Sequence, residues 1–400
     1  MSETLALVVT SSTVSIALFC MAAHLLRAVK TPVYLPSGLF FITLCFACGG
    51  PLVGTLAPNA LSVFYQFTFP AYLVMGPLMW FYIKGLTSED RWQFSPKDLF
   101  HFAPFFFGLF LVLFDLFVFN VDQIKKNPEA YWATISGFEK AYTAIVLGLW
   151  GFAWTILRIQ PFIYLYLIVR RLSGYRNRLK DVFASIEGKD LGWLNYYLVI
   201  FAGVWTIILV TIINGNISGS KSPSPLANGI LFLVLVVLLG IFSLYQKPGF
   251  EDQYLDKLTH SNQRGFSEQS KKYQRSALNS EDANRIAAKI NNAMQKERLF
   301  LDPSLSLKKL SEHLRISPNY ISQTLNETMG ECFFDYVNRW RIEAAKPDII
   351  EANKTILAIA YDVGFNARSS FYKAFKRETG QTPSEYRSDV QLSKPVTPPH

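Results

Sequence analysis

Cysteine is scarce in this chain, with four residues in 400, and that number cannot build a disulfide framework. Cys20, Cys45 and Cys48 lie inside apolar runs and Cys332 in a polar region. Cys45 and Cys48 form a CxxC, but the run around them offers no further ligand, so packing is the expected use rather than metal or redox chemistry. Also missing are a Gly-rich phosphate loop, a nucleophile elbow and an HExxH zinc motif. Carboxylates and histidines are few within the apolar runs, and His24 and His101 stand singly near run ends, where a hydrogen-bonded or interfacial role is expected. Enzymatic activity, a cofactor and a metal are therefore not expected. The first apolar run has no basic leader and is followed by others, which predicts an anchor rather than a cleaved signal. The last run contains no Lys for a Schiff base, which argues against a retinal protein.

What is present divides the chain in two. Half of all residues are hydrophobic and 15% are aromatic, yet apolar runs near the ~20 residues needed to span a bilayer occur only before Gln246. Seven spans are expected, at 5–26, 38–57, 61–83, 100–119, 142–169, 194–213 and 226–244. The loops after spans one, three and five carry Arg27 and Lys30, then Lys84, Arg91 and Lys97, then Arg170, Arg171, Arg176, Arg178, Lys180 and Lys189. The opposite loops carry only Lys125, Lys126, Lys140 and Lys221, so eleven basic residues face four. Positive residues concentrate on the cytoplasmic side. This predicts an N-terminus outside and, after an odd number of spans, everything beyond Gln246 inside.

Charged groups within the spans are costly and face a bundle interior or cavity. Asp115 and Arg158 are the two that stand out. They are expected to face one another, to line an internal ligand site, or to serve structure alone. Gly76 with Pro77, and Pro161, mark expected kinks.

The polar part begins with a tether, 246–272, followed by an amphipathic helix at 280–299 that Ser280 can cap. Two copies of one pattern then appear. In the first, Leu307, Leu310 and Leu314 face one helix that begins near Ser306; Arg315 and Ile316 make a turn; Ser317 caps, Pro318 sits at N1, and Ile321 with Leu325 faces the core. In the second, Ile356, Ile359, Ala360 and Val363 recur at helical spacing, and Gly364 follows where a helix end favours positive φ. Asn366 is the expected N-cap of the next helix, whose buried face carries Phe371 and Phe375. Gly380 closes it, and Thr382, Pro383 and Glu385 predict a capping box. Between the copies, 331–350 reads as a linker helix with Phe334, Val337, Ile342 and Ala345 on its apolar side. Its 20 residues span ~30 Å, near one ~34 Å turn of B-DNA. Pro347 predicts a kink or early end there.

The exposed positions suit DNA. Asn319, Ser322, Gln323 and Asn326 in the first copy include amides able to bond adenine edges. Arg368, Ser369, Tyr372, Lys373, Lys376 and Arg377 form a basic face in the second. Arg368 can take guanine O6 and N7 together, whereas Lys373, Lys376 and Arg377 are equally suited to phosphate.

From about 279 to 387 the sequence resembles the DNA-binding domain of the AraC/XylS family of bacterial transcription regulators, which carries two helix-turn-helix units joined by a linker helix. Ile359, Ala360, Gly364, Phe365, Phe371, Phe375, Lys376, Gly380, Thr382, Pro383, Tyr386 and Arg387 meet the family's second-unit pattern at its spacing. The resemblance covers roughly a quarter of the chain and none of its apolar half, and Pro347 departs from the usual linker helix. It places the base-reading surface on Asn319, Ser322 and Gln323, and on Arg368, Ser369, Tyr372 and Lys373. It implies double-stranded DNA as partner, with RNA polymerase and a second copy of the chain as further candidates.

The expected fold is therefore all-α: a seven-helix transmembrane bundle at 1–246, a cytoplasmic linker at 247–278, an AraC-type domain at 279–390 and a tail at 391–400. The expected function is a membrane-tethered, sequence-specific regulator in the bacterial inner membrane, coupling an unidentified membrane or external signal to gene expression. One alternative is a transporter or membrane enzyme fused to a DNA-binding feedback domain. Another keeps the fold but uses the basic face for protein contacts.

Overall fold

The computed structural model describes residues 2–90, 92–117, 136–196, 198–199, 202, 225–250, 279–351 and 353–393. These are helical, without a named strand among them, and the only extended pairing they show is an isolated antiparallel bridge between Phe183 and Ser306. They group into two compact units, one within Met1–Leu172 and Leu191–Asp256, the other within Ser173–Asp190 and Lys257–His400. Most of the expected sixth span, the tether beyond residue 250 and most of the loop bearing Lys125 and Lys126 fall outside the described residues.

In the first unit the helices are α1 (Ser2–Ala28), α2 (Leu35–Cys48), α3 (Gly50–Leu56), α4 (Leu61–Leu86), α5 (Ala103–Phe117), the first part of α6 (Gly137–Val182) and α7 (Pro225–Tyr245). Among the described residues three helical stretches are long and apolar enough to cross a membrane: Thr4–Ala28, Pro96–Phe117 and Gly137–Val182. A fourth is reached if the pair Pro32–Cys48 and Gly50–Leu56, bent by 60°, is one span. That bend divides the expected second span at Gly49, where two glycines precede Pro51 and the proline withholds its backbone donor. The helices α4 and α7 stand where the third and seventh spans are expected. The expected fifth span is part of a 46-residue helix, so Arg170, Arg171, Arg176, Arg178 and Lys180 lie on helix and not in a loop. At 1.5 Å per residue α6 extends about 69 Å, over twice the ~30 Å hydrocarbon thickness.

Packing follows from aromatic and aliphatic faces. Phe69 and Leu73 of α4, Leu111 of α5, and Ala153 and Leu157 of α6 form a buried cluster. Pro77 continues inside α4 and cannot bond the carbonyl of Leu73 four residues earlier. Gln160 of α6 fills that vacancy, donating from Nε2 to the Leu73 oxygen at 2.9 Å. His24 bonds Ser243 Oγ through Nε2 at 3.0 Å and His101 bonds Tyr164 Oη through Nδ1 at 2.9 Å.

The second unit contains α8 (Ser280–Gln295), α9 (Leu307–Leu314), α10 (Pro318–Gln323), α11 (Phe333–Glu351), α12 (Ile356–Asp362), α13 (Arg368–Thr379) and α14 (Pro383–Ser393), besides the end of α6. Two cores share α11. Phe333, Tyr336 and Val337 pack with Ile286, Ile290, Leu307, Leu310, Ile321 and Leu325. Farther along, Ile342, Ala345 and Ile349 pack with Ile359, Ala360, Val363, Phe365, Phe371 and Phe375. The buried face thus begins at Phe333, while Phe334 is half-exposed. The early end expected at Pro347 does not occur: α11 runs through it to Glu351.

Candidate nucleic-acid interface

Each helix-turn-helix copy is built by the same local devices. Ser306 caps α9 by accepting from Lys309 N at 3.3 Å, and Thr355 caps α12 by accepting from Ala358 N at 3.1 Å. The turn after α9 puts Arg315 at φ +55 and the turn after α12 puts Gly364 at φ +94. Ile316 N then bonds Ser311 O at 3.1 Å, and Phe365 N bonds Ala360 O at 3.0 Å, the long-range closure of a left-handed helix cap. Glycine is required in the second copy for a further reason: a Cβ on Gly364 would lie 2.8 Å from the Leu301 carbonyl oxygen.

Helix starts differ from the expected caps in three places. Ala367 and not Asn366 is the N-cap of α13, because the Asn366 amide is engaged with the Pro303 carbonyl at 3.1 Å. Ser317 holds the cap position of α10 without a side-chain cap bond, and Asn279 precedes Ser280 as the cap of α8. The capping box of α14 forms as expected, with Thr382 N donating to Glu385 Oε2 at 2.7 Å and Glu385 N to Thr382 Oγ1 at 3.3 Å. The bond from Thr382 N, together with one from the Thr382 side chain, holds the Glu385 carboxyl below its ordinary range.

Core-facing Ile321 and Leu325 in α10 and the turn beyond it correspond to Phe371 and Phe375 in α13. The positions between and beside them therefore correspond as well: Asn319 with Ser369, Ser322 with Tyr372, Gln323 with Lys373, and Asn326 with Lys376. Asn319, Asn326, Arg368, Ser369, Lys373, Lys376 and Arg377 are exposed, while Ser322, Gln323 and Tyr372 are half-buried. The first helix is only six residues before it widens into a π-helical turn, Thr324–Thr328. Its polar side chains are engaged with one another: Gln323 Nε2 donates to Glu327 Oε2 at 2.8 Å and Asn326 Nδ2 to the Ser322 carbonyl at 3.0 Å.

In α13, Arg368 Nη2 donates to Tyr372 Oη at 3.1 Å. Burial raises the Tyr372 phenol, but hydrogen bonds with Ser384 and Arg368 and the charges of Arg368 and Arg387 outweigh it and bring the group below its usual value. Arg377 bonds Glu378 at 2.9 Å and pairs with Asp335 of α11. The guanidinium expected to hold phosphate is thus also a tie between the second reader and the linker helix. Lys373 and Lys376 make no ion pair among the described residues.

Sequence reasoning missed Arg341. It is fully buried on α11, with Nε donating to Phe300 O at 2.8 Å and Nη2 to Asp302 O at 2.9 Å. Burial depresses its pKa to about 10, opposed by the charges of Glu187 and Asp302. A signal existed: Val337, Arg341 and Ala345 follow at four-residue intervals, so the Arg lies on the apolar stripe.

Asp115, on α5, is buried and accepts from Gln66 Nε2 at 3.5 Å. Arg158, on α6, has no hydrogen-bond partner at Nε. No ion pair joins the two among the described residues.

Two helix-turn-helix units sharing one linker helix define a DNA-binding domain. Residues 310–389 match the family model described as a helix-turn-helix domain. The chain is similar to an uncharacterized HTH-type transcriptional regulator of Staphylococcus aureus (strain COL), 38% identical over 101 residues, which is 25% of this chain and 14% of that protein. It is also similar to a putative AraC-like transcription regulator of Streptomyces lividans, 34% identical over 91 residues, 22% of this chain and 30% of that one. The chain therefore spans less than a third of either relative. Among solved structures, the C-terminal domain of AraT, a response regulator from Geobacillus stearothermophilus, is 26% identical, covering 31% of this chain and 97% of that one at a TM-score of 0.25. The C-terminal segment of this chain is an AraC-type helix-turn-helix domain.

Proposed function

We propose that the chain is a membrane-tethered, sequence-specific transcription regulator in which a seven-span apolar domain at 1–246 holds the domain at 279–390 at the cytoplasmic face of the inner membrane. The observation that carries this reading is the joining, in one chain, of an AraC-type DNA-binding domain to helices long and apolar enough to cross a membrane. The N-terminus is outside. In support, Arg27 at the end of α1 donates to Leu244 O at the end of α7 at 2.6 Å, and Arg171 of α6 donates to Lys84 O at the end of α4 at 3.1 Å. Both contacts join odd-numbered spans near their basic residues, which supports reading those ends as cytoplasmic.

On the DNA, Arg368 reads a base edge, Lys373 and Lys376 hold phosphate, and Asn319, Ser322, Gln323, Asn326, Ser369 and Tyr372 complete the surface. A membrane or external signal changes DNA affinity by binding two conformations of the chain with different affinity. Genome-wide crosslinking of the intact protein, paired with membrane fractionation, tests the whole reading. Discrete enriched sites and a membrane-fraction protein are expected; a membrane protein without enriched sites under every growth condition tried overturns it.

A further inference from the structure

The DNA-binding unit contains a piece of chain that lies far from it in sequence. Residues 173–190 belong to the second unit by packing, although they precede its other residues by a long interval. This piece comprises the end of α6 and the residues that follow. Its fold is internally fixed: Tyr175 and Leu179 are fully buried, and Tyr175 Oη donates to Lys189 O at 2.7 Å.

Where α6 ends, the backbone docks. Phe183 forms the antiparallel bridge with Ser306, the residue that caps the first helix of the first reader. Ala184 N donates to Leu305 O at 3.2 Å, and the Ala184 side chain, 1% exposed, is part of the core that holds Leu307, Leu310, Ile321 and Leu325. Arg341 completes the attachment, with Nη1 reaching Ala184 O and Ser185 Oγ, both at 3.4 Å. The same guanidinium lies 5.5 Å from the Phe365 ring centroid, in the core of the second reader. One buried cation therefore touches residues 184–185, the linker helix that bears it, the 300–302 turn and the second reader.

We propose that this surface of the DNA-binding domain is a docking site whose occupant is residues 183–185 of the same chain, and that Arg341 is the positioning residue that sets both readers according to whether the site is filled. The inference rests on the regulator reading and adds the route by which a signal enters it. A buried guanidinium needs every acceptor it has, since an unmet charge in a low-dielectric interior is costly. Withdrawing 184 and 185 removes two of its acceptors while Phe300 O and Asp302 O remain, so undocking loosens the domain's joint without dissolving its cores. Residues 183–185 follow directly on Val182, the last residue of α6, so a shift of that helix end acts first on the docked segment.

The test uses the full chain in its native membrane, with Cys20, Cys45, Cys48 and Cys332 replaced by Ser and the pair Phe183→Cys and Ser306→Cys introduced. Bridged antiparallel residues have Cα atoms about 4.5–5.5 Å apart, within disulfide reach. Mild oxidation is expected to give a rapid intramolecular crosslink. A separate variant, Ala184→Asp, places a carboxylate where the core accepts only a methyl group, and should abolish the crosslink in the cysteine background. Occupancy at the enriched genomic sites should fall about tenfold, with the protease resistance of the second unit retained. Arg341→Lys, which keeps the charge but cannot reach the same acceptors, should reproduce the loss in milder form. Failure of the crosslink in unmodified membranes overturns the docking whatever the chain does on DNA. Undocking that leaves occupancy within about twofold overturns the control role. If Ala184→Asp also loses protease resistance, Arg341→Lys decides by the same threshold. Absence of enriched sites for the parent chain is a failure of the regulator reading and is read separately from the crosslink.

Discussion

The guanidinium of Arg368 sits 4.9 Å from the ring centroid of Tyr372, one helical turn away, and donates to its hydroxyl at 3.1 Å. In the proposed base-reading role, an arginine at the start of this helix presents both guanidinium nitrogens in one plane to a guanine edge. Tyr372 limits the rotamers of a long, exposed side chain and, in the proposed base-reading role, would reduce the entropy lost on meeting DNA.

Arg368→Ala should relax preference at one base pair and cost ~1–3 kcal/mol on the preferred sequence, with little change on others. Tyr372→Phe keeps the ring and removes the hydroxyl bond, so it should cost less, about 0.5–1.5 kcal/mol, at the same base pair. Selection of bound duplexes from a random library measures both. Loss spread equally over all sequences would move Arg368 to the phosphate-contacting class.

The two turns use the left-handed region with different residues, and this gives a prediction with opposite signs. Gly364→Ala adds a Cβ at φ +94 and 2.8 Å from the Leu301 oxygen, so strain and clash combine. It should destabilise the second unit by more than the ~1–2 kcal/mol of the left-handed penalty alone. Arg315 is exposed at φ +55, where Gly has no such penalty. Arg315→Gly should leave stability unchanged or raise it by a few tenths of a kcal/mol. Thermal melts of the purified chain, read by protease resistance of the second unit, separate the two cases.

These turns were legible because their chemistry is local. Gly364, Gly380 and the Thr382–Glu385 box each follow from a few adjacent residues, and all occur where the sequence places them. Asn366 was misread for the opposite reason: its amide answers to Pro303, 63 residues away, and that partner cannot be seen from the cap position. Arg341 follows the same logic at greater range, since its acceptors at 184, 300 and 302 meet only in the folded unit. In the apolar half, hydropathy marks where helices lie but not where they bend or how far they continue. Thus the Gly49 bend and the extension of α6 to Val182 were invisible to a count of apolar residues.

Pro347 lies within α11 and leaves the Glu343 carbonyl without its helical donor. Its final turn is held from outside: Arg387 donates from Nε to Ile349 O at 3.0 Å and, just beyond the helix, from Nη2 to Lys354 O at 3.1 Å. Pro347→Ala restores the missing bond and should stabilise the second unit by about 1–3 kcal/mol. Arg387→Ala should destabilise it, and more so with Pro347 present than with Ala at that position. A double-mutant cycle on chemical denaturation gives the coupling, and additive effects would show that the Arg387 bonds do not compensate for the proline.

Lys376 and Arg377 are neighbours in sequence, yet they should behave differently on DNA. Lys376 is exposed and makes no ion pair among the described residues, which leaves its ammonium for phosphate. Lys376→Ala should weaken binding to all sequences alike and reduce the slope of log K against log salt by ~0.9, the release of one counterion. Arg377 is bonded to Glu378 and paired with Asp335 on the linker helix, and those carboxylates raise its pKa against the effect of burial. Because the pair is partly exposed, its loss in Arg377→Ala should cost only ~0.2–1 kcal/mol of stability. The effect on DNA should instead depend on geometry: the tie from α13 to α11 orients the second reader relative to the first, so binding to a full two-part site should fall while binding to a half-site is nearly unchanged. Titrations of both variants against full and half sites across 50–200 mM salt distinguish the roles. An Arg377→Ala protein that loses salt slope equally on both sites would place this guanidinium on phosphate after all.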